Sequence, residues 1–290
     1  MTFLGKAALG TALAGAAALV LSSNYLDLSN AKSLFSAIVG ERGPSVEKGR
    51  AYGGHPRQKL DVYHPSSGRV AGPIAVFLYG GNWRQGERST YGFVGAALAA
   101  KGITTVIPDY RLYPEVLFPA FVEDAARAYA WTVKEIAAGR PVYLIGHSAG
   151  AHSAALVAFD QRYRTQDNVS HPAPAGVIGL AGPYAFDPTT WETTKAVFAT
   201  ASSADETRPV AQVRPGAPRS LLMHGLGDDV VKLWNLRQLA EALEAAGTPV
   251  RKLELDGLGH IGILLAVARP LRWRAPVLEE MVEFMKENAR

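Results

Sequence analysis

Short apolar segments alternate with longer amphipathic segments through the chain from about Gln58 onward. Most of the short segments are rich in β-branched residues and are bounded by Gly or Pro, which is typical of buried strands. They read LDVY (60–63), IAVFLY (74–79), ITTVI (103–107), VYLI (142–145), VIGLA (177–181), SLLM (220–223) and VRKLEL (250–255). The pattern therefore predicts seven strands.

Two of the longer segments, Phe118–Ala138 and Lys232–Ala246, repeat apolar residues at helical spacing. Gly247 follows the second segment and predicts its end. Strands that alternate with helices indicate an α/β fold, in which a mostly parallel twisted sheet carries helices on both faces. Ligands bind at the carboxyl ends of the strands in such sheets, so we expect the functional site there.

Residues 182–219 interrupt this alternation. The segment contains four aromatic residues together with many Thr, Ser and Pro residues. A long excursion between two strands is often a lid or a binding segment. A packed surface excursion explains the composition equally well, and the sequence leaves both interpretations open.

The amino-terminal segment, residues 1–23, is typical of a signal or a membrane anchor. Its run from Ala7 to Leu21 carries no charge, follows Lys6 and is shorter than the roughly 20 residues that a membrane span needs. We expect an exported or membrane-anchored protein of the periplasm or cell envelope, with membrane association through this segment. The alternatives are an uncleaved anchor that extends to Leu4 and an alanine-rich helix packed on the domain.

Residues 24–50 are predicted to connect this segment to the main domain. Tyr25–Val39 has the spacing of a short helix, and Gly40–Arg50 is glycine-rich and charged, as linkers often are. We expect a single globular domain over residues 51–290.

The composition narrows the chemistry that is available to this domain. Hydrophobic residues make up 48% of the 290 residues, so the chain can bury a sizeable core. The absence of Cys excludes disulfides, thiolate metal sites and a Cys nucleophile. The formal charge of +4 is scattered rather than gathered in a stripe, so we expect no nucleic-acid partner. His147 and His152 do not share a helical face, and we expect neither a metal nor a cofactor.

A candidate nucleophile lies in the sequence Gly146–Gly150, which reads GHSAG. This G-x-S-x-G pattern follows a predicted strand and precedes a predicted helix, where a sharp turn exposes the serine beside a base. We therefore predict that Ser148 is the nucleophile. The backbone N–H of Ala149, at the start of the helix, is the natural first donor to an oxyanion.

The sequence Tyr79–Trp83, YGGNW, follows another predicted strand. Paired glycines let a backbone approach a ligand and point its N–H groups into a site. We assign the second oxyanion donor to Gly81, Asn82 or both, and substrate contacts to Gly80 and Trp83. The alternatives are a plain two-glycine turn and ordinary packing of the Trp83 ring.

The acid and the base are sought downstream of the serine, in the chain order Ser, Asp, His. His171, His224 and His260 remain, and His260 follows the last predicted strand in a glycine-flanked loop, GLGHIG. We predict that His260 is the base and that Asp228, just past the preceding strand, is the acid that orients it. Asp229 is the second candidate for the acid, and either aspartate would also suit a helix N-cap.

These motifs, in this order, resemble the α/β-hydrolases of the esterase/lipase branch. The branch includes carboxylesterases, kynurenine formamidases and isoprenylcysteine methylesterases. The stretches that carry the resemblance are LDVYHP (60–65), YGGNW (79–83), PDYRLYPE (108–115), GHSAGAH (146–152), HGLGDDVV (224–231) and GLGH (257–260). The resemblance implies an α/β-hydrolase fold in which Ser148, Asp228 and His260 form the triad and Gly80–Asn82 the oxyanion loop.

The sequence departs from this pattern at two positions. Tyr79 stands where family members usually carry His, and Asn82 stands where many carry a third Gly. The usual His orients backbone rather than moving protons, so activity is expected to survive, although the shape of the acyl pocket is expected to differ.

The first functional hypothesis is a serine hydrolase that cleaves small carboxylic esters through a Ser-His-Asp triad and an acyl-enzyme. The second is an aryl formamidase or amidase that uses the same triad. The GG-x-W and SAGAH spellings resemble those of formamidases and methylesterases more than those of the esterases with an HGGG loop. The third is a catalytically inactive hydrolase fold that serves as a binding protein.

Overall fold

The computed structural model of the protein describes residues 44–66, 72–166 and 169–287. The predicted signal or anchor segment and the predicted helix at Tyr25–Val39 lie outside these residues and stay predictions. Within the described ranges, no helix combines the length and the apolar character that crossing a membrane requires.

The described ranges contain ten strands. They are β1 (Ser45–Ala51), β2 (Lys59–His64), β3 (Ile74–Leu78), β4 (Thr104–Pro108), β5 (Val142–His147), β6 (Thr165–Gln166), β7 (Val169–Ser170), β8 (Gly176–Leu180), β9 (Ser220–Gly225) and β10 (Val250–Leu255). Eight of them form one sheet in the order β1-β2-β4-β3-β5-β8-β9-β10, and β6 pairs with β7 alone. Within the large sheet, β1 and β2 are antiparallel to their neighbours, and the other six strands are parallel.

The helices of the described ranges cover this sheet. They are α1 (Gly92–Ala100), α2 (Ala120–Thr132), α3 (Ala149–Phe159), α4 (Gln161–Arg164), α5 (Ala204–Thr207), α6 (Trp234–Ala245), α7 (His260–Leu265) and α8 (Val277–Lys286). A π turn at Val133–Ala137 continues α2, and 3-10 turns lie at Arg88–Tyr91, Pro209–Gln212 and Arg269–Arg274.

The seven predicted strands and the two predicted helices are all present, and the predicted α/β fold is confirmed. Every residue of β3, β4, β5, β8 and β9 is buried. Central parallel strands are covered by helices on both faces, which explains why their sequences are continuous apolar runs rather than alternating ones.

The prediction of a linker over Gly40–Arg50 is wrong from Ser45 onward, because Ser45–Ala51 is the edge strand β1. Most of its side chains are exposed, and its register with β2 shifts between Glu47 and Arg50, so no apolar alternation marks it as a strand. Charged residues and a bulge are common on edge strands because they discourage pairing with other chains.

The excursion at residues 182–219 packs on the domain. Phe198 is fully buried. The side-chain oxygen of Asn235, in α6, accepts hydrogen bonds from the backbone N–H groups of Ala185 and Phe186, at 3.0 and 3.1 Å. The interpretation as a packed excursion therefore describes this segment, and a role as a lid stays a prediction.

Candidate active site

A sharp turn joins β5 to α3. The strand ends at His147 and the helix begins at Ala149, which leaves Ser148 between them with φ 53° and ψ −124°. Positive φ is strained for a residue with a Cβ atom, and such strain persists only where the surrounding structure imposes it. The Ser148 N–H donates to the carbonyl of Leu180 on the neighbouring strand, at 2.9 Å. The turn therefore fixes the serine at the carboxyl edge of the sheet.

The two glycines of this motif allow the strand and the helix to approach each other. A Cβ atom at Gly150 would lie 2.1 Å from the carbonyl oxygen of Leu78, and one at Gly146 would lie 2.4 Å from the backbone nitrogen of Ala151. Both positions therefore exclude any side chain, and the spacing of the glycines in the sequence reflects a backbone contact.

The structure brings the three predicted residues into one chain of contacts. His260 Nε2 lies 2.9 Å from Ser148 Oγ, and His260 Nδ1 lies 2.8 Å from Asp228 Oδ2. An ionised carboxylate only accepts hydrogen bonds, so Nδ1 carries the proton and Nε2 accepts from the serine hydroxyl. This arrangement can take a proton from the serine as the hydroxyl attacks an electrophile.

The carboxylate of Asp228 is held from several sides. Its Oδ1 accepts from the N–H groups of Val230 and Val231, both at 2.9 Å, and its side chain is fully buried. Burial acts to raise the pKa of Asp228, but the hydrogen bond and charge interaction with His260, together with the Val231 N–H, leave it below the ordinary value. The group is therefore ionised beside the imidazole.

The second candidate for the acid, Asp229, is exposed. Its backbone carbonyl accepts a hydrogen bond from Lys232 Nζ at 2.8 Å. Helix α6 begins only at Trp234, so neither aspartate is its N-cap. The geometry thus distinguishes two adjacent residues between which the sequence left a choice.

His224 lies behind Asp228, in a contact that was not predicted from the sequence. Its Nε2 is 2.9 Å from the carbonyl oxygen of Val231 and 3.4 Å from Asp228 Oδ2. Burial lowers the pKa of His224, so the ring is neutral and donates Nε2–H toward the acid loop. Its position at the end of β9, just before the acid, was the available signal.

The glycine loop after β3 runs directly against Ser148. A Cβ atom at Gly80 would lie 2.9 Å from the Cβ of Ser148. Gly81 and Asn82 both have positive φ, 127° and 54°. The backbone N–H groups of Gly81, Asn82 and Ala149 donate no hydrogen bond to any described residue. These amides are therefore available to an acceptor beside the serine hydroxyl.

Tyr79, at the departure from the family pattern, supports this loop from the core. Its hydroxyl donates to Asp109 Oδ1 at 2.8 Å, and its carbonyl accepts from the Tyr110 hydroxyl at 2.7 Å. Its ring stacks on those of Tyr91 and Tyr110, with centroids 5.0 and 4.7 Å apart. Burial raises the pKa of Tyr79, so the phenol stays protonated and acts as a donor. Tyr79 therefore supports the backbone at the start of the glycine loop.

The ring of Trp83 belongs to a buried aromatic cluster rather than to an open binding surface. It is 1% exposed and packs edge-on against Phe198 and His152, with centroids 4.9 and 5.0 Å apart. The predicted substrate contact of Trp83 is therefore corrected, because its ring has no face open to a substrate. The alternative of ordinary packing applies.

No group of three or more His, Asp or Glu side chains in the described part of the chain is arranged to hold a metal ion.

This sheet, with the serine turn after β5, the acid loop after β9 and the histidine loop after β10, has the architecture of an α/β-hydrolase of the esterase/lipase class. The chain belongs to the BD-FAE family, whose model matches residues 60–243. The matched range includes the glycine loop, the serine and the acid, and it ends before the histidine.

Curated relatives have similar sequences. The probable isoprenylcysteine alpha-carbonyl methylesterase ICMEL1 of Oryza sativa subsp. japonica is 29% identical over 258 residues, covering 80% of this chain and 60% of that protein. Esterase LipC of Mycobacterium tuberculosis is 31% identical over 242 residues, covering 75% and 60%. Kynurenine formamidase of Danio rerio is 33% identical over 137 residues, covering 47% and 46%. The chain thus spans 60% or less of the length of these relatives.

A solved structure confirms the fold. Esterase B from Lactobacillus rhamnosis, inhibited by a tributyrin phosphonate, superimposes with a TM-score of 0.73 at 19% identity, covering 95% of this chain and 96% of that one. At this identity the likeness concerns the fold alone.

Proposed function

We propose that the protein is a serine hydrolase that cleaves carboxylic esters through an acyl-enzyme. The observation that carries the proposal is the unbroken series of contacts from Ser148 Oγ through His260 to Asp228, at 2.9 and 2.8 Å. The names of two relatives, a methylesterase and an esterase, support an ester as the substrate class.

In the first step, Ser148 Oγ attacks the ester carbonyl while His260 Nε2 takes the hydroxyl proton. Asp228 stabilises the imidazolium that forms. The carbonyl oxygen becomes an oxyanion that accepts hydrogen bonds from the amides of Ala149 and of Gly81, Asn82 or both, each worth about 2.7–4 kcal/mol in the transition state.

Collapse of this intermediate expels the alcohol, which takes the proton from His260 Nε2, and leaves an acyl group on Ser148. Water then attacks the acyl-enzyme and gives its proton to the same nitrogen. A second oxyanion forms, and its collapse releases the carboxylic acid and restores the serine hydroxyl.

The direct test is the hydrolysis of a short-chain p-nitrophenyl ester by wild type and Ser148→Ala. We expect turnover and fluorophosphonate labelling by wild type, and neither by the variant. Ser153→Ala is a matched control, because Ser153 lies in the same helix and its hydroxyl donates only to the carbonyl of Ala149, at 3.2 Å. Unchanged turnover in Ser148→Ala, with the fold intact, would exclude the proposal.

An aryl formamidase is the second candidate, favoured by the likeness to the Danio rerio enzyme. The same contacts would serve an amide bond. Comparing kcat/KM for N-formylkynurenine with that for the simple ester, in wild type and Ser148→Ala, separates the two substrate classes. A binding protein without activity would hydrolyse neither and would resist the probe.

We also propose export or membrane anchoring through residues 1–23. The uncharged run from Ala7 to Leu21 after Lys6 supports this. Recovery of the protein in the cytosolic fraction with Met1 intact would contradict it.

A further inference from the structure

His147, the residue before the nucleophile, makes a contact that the mechanism above does not use. Its ring is 2% exposed, and its Nε2 lies 2.9 Å from the backbone carbonyl oxygen of His260. A carbonyl only accepts, so Nε2 carries the proton and donates it. The two rings lie 4.9 Å apart, between centroids.

This bond joins the end of the buried strand β5 to the start of a short helix. His260 is the first residue of α7, a helix of six residues, and Gly259 at its N-cap has no side chain with which to cap it. Gly257 has φ 69°, so the loop before the helix is a glycine turn. Short helices are marginal without tertiary contacts, and the backbone of His260 therefore depends on such contacts for its place.

The ring of His147 also touches the third part of the site. A Cβ atom at Gly80 would lie 3.1 Å from His147 Nδ1 and 2.9 Å from the Cβ of Ser148. The ring is thus wedged among the glycine loop, the nucleophile turn and the histidine helix.

His147 remains uncharged in this place. Burial is the main cause that lowers the pKa of His147, and the charge interaction with His260 adds to it, which brings the pKa to about 3. A neutral ring donates its hydrogen bond without opposing the positive charge that His260 gains during the reaction.

We propose that His147 is a positioning residue that fixes the backbone of His260 relative to Ser148, so that the imidazole stands within hydrogen-bond distance of the nucleophile. The inference rests on the proposed function. It predicts that the donor at His147 acts on the chemical step rather than on substrate affinity, because misplacement of a reacting group raises the barrier.

The test compares His147→Phe, which keeps a ring without the donor, with His147→Gln, whose amide nitrogen occupies a place close to that of Nε2. For Phe we expect kcat to fall by about tenfold to a hundredfold with KM little changed, and fluorophosphonate labelling to slow in parallel. Gln is expected to recover most of the lost kcat. His147→Asn, whose amide is one methylene too short to reach the carbonyl, replaces Phe if that variant is insoluble.

His152→Phe is the matched control for stability. Its Nε2 also bonds a backbone carbonyl, that of Thr207 at 2.7 Å, and the residue is fully buried five positions further along the chain. This variant removes the same kind of bond at a place that does not contact His260. We expect a comparable fall in Tm with kcat close to that of wild type.

Wild-type kcat in His147→Phe would overturn the inference, and so would equal losses of kcat in the Phe, Gln and His152→Phe variants. If wild type is no faster than Ser148→Ala, the proposed function falls and takes the inference with it. If wild type is active, Ser148→Ala is dead and His147→Phe is unimpaired, only the role of His147 is refuted.

Discussion

The candidate triad joins two regions that are built in different ways. On the nucleophile side, Ser148 stands between a fully buried strand and a fully buried helix, and backbone contacts at Gly146 and Gly150 determine its position. On the other side, Asp228 lies in the loop after β9, and His260 is the first residue of α7, which follows β10. Side-chain hydrogen bonds determine the positions of both side chains.

The difference shows what each side contributes. At Gly146 and Gly150 the neighbouring backbone leaves no room for a side chain, so the close packing of strand against helix fixes the turn at Ser148. Side-chain hydrogen bonds, by contrast, hold Asp228 and His260. The His147 contact with the carbonyl of His260 joins the two regions directly.

The largest effect is expected on the side held by hydrogen bonds, from Asp228→Asn. An amide at this position donates to Nδ1 and leaves the proton on Nε2, so His260 cannot accept from Ser148. We expect kcat to fall about 10⁴-fold, measured with the p-nitrophenyl ester. Asp229→Asn is the matched control and should leave kcat unchanged. A greater loss in the control would move the acid to Asp229.

The next effect is expected on the sterically determined side, from Gly150→Ala. The new Cβ atom would lie 2.1 Å from the carbonyl oxygen of Leu78, so strand and helix must separate. We expect the free energy of unfolding to fall by about 3 kcal/mol in urea titrations. At Gly54 a Cβ atom meets nothing within 4 Å, so Gly54→Ala is the control. Equal stability of the two variants would refute the steric account of the turn.

The smallest effect is expected from lowering the pH, which acts through two buried histidines near Ser148, His147 and His152. Burial lowers the pKa of His147 to about 3 and that of His152 to about 4, against 6.5 for an exposed ring. Below pH 6.5 these two rings take up protons in the unfolded chain but not in the folded chain. Lowering the pH therefore reduces the free energy of unfolding by about 1.4 kcal/mol per pH unit for each ring.

Urea titrations between pH 7 and pH 4.5 measure this slope. In His152→Phe and in His147→Phe, this slope should be smaller than in wild type by the contribution of the one ring that each variant lacks. A slope that is the same in wild type and in both variants would show that neither histidine is kept neutral by the fold.

The sequence allowed the sheet to be predicted well and its edge poorly. Buried central strands are continuous apolar runs, and all seven were found. β1 was missed because an exposed edge strand needs few apolar residues, and its bulge breaks the remaining alternation. The ring of Trp83 was misassigned because adjacency in sequence to a glycine loop does not determine which way a side chain packs.

The sequence by itself determined the order of strands and helices, the place of the serine turn and the one position where a base could follow the last strand. These features depend on local periodicity, on glycine sterics and on chain order, each of which can be read along the sequence without knowledge of tertiary contacts. The choice of Asp228 over Asp229, the place of His224 behind the acid and the bond from His147 to the carbonyl of His260 were decided only by the tertiary structure. The contacts of Asp228 and of His147 with His260 join segments 32 and 113 residues apart in sequence, which no local pattern encodes. The place of His224 depends on how the short loop between it and Asp228 folds back.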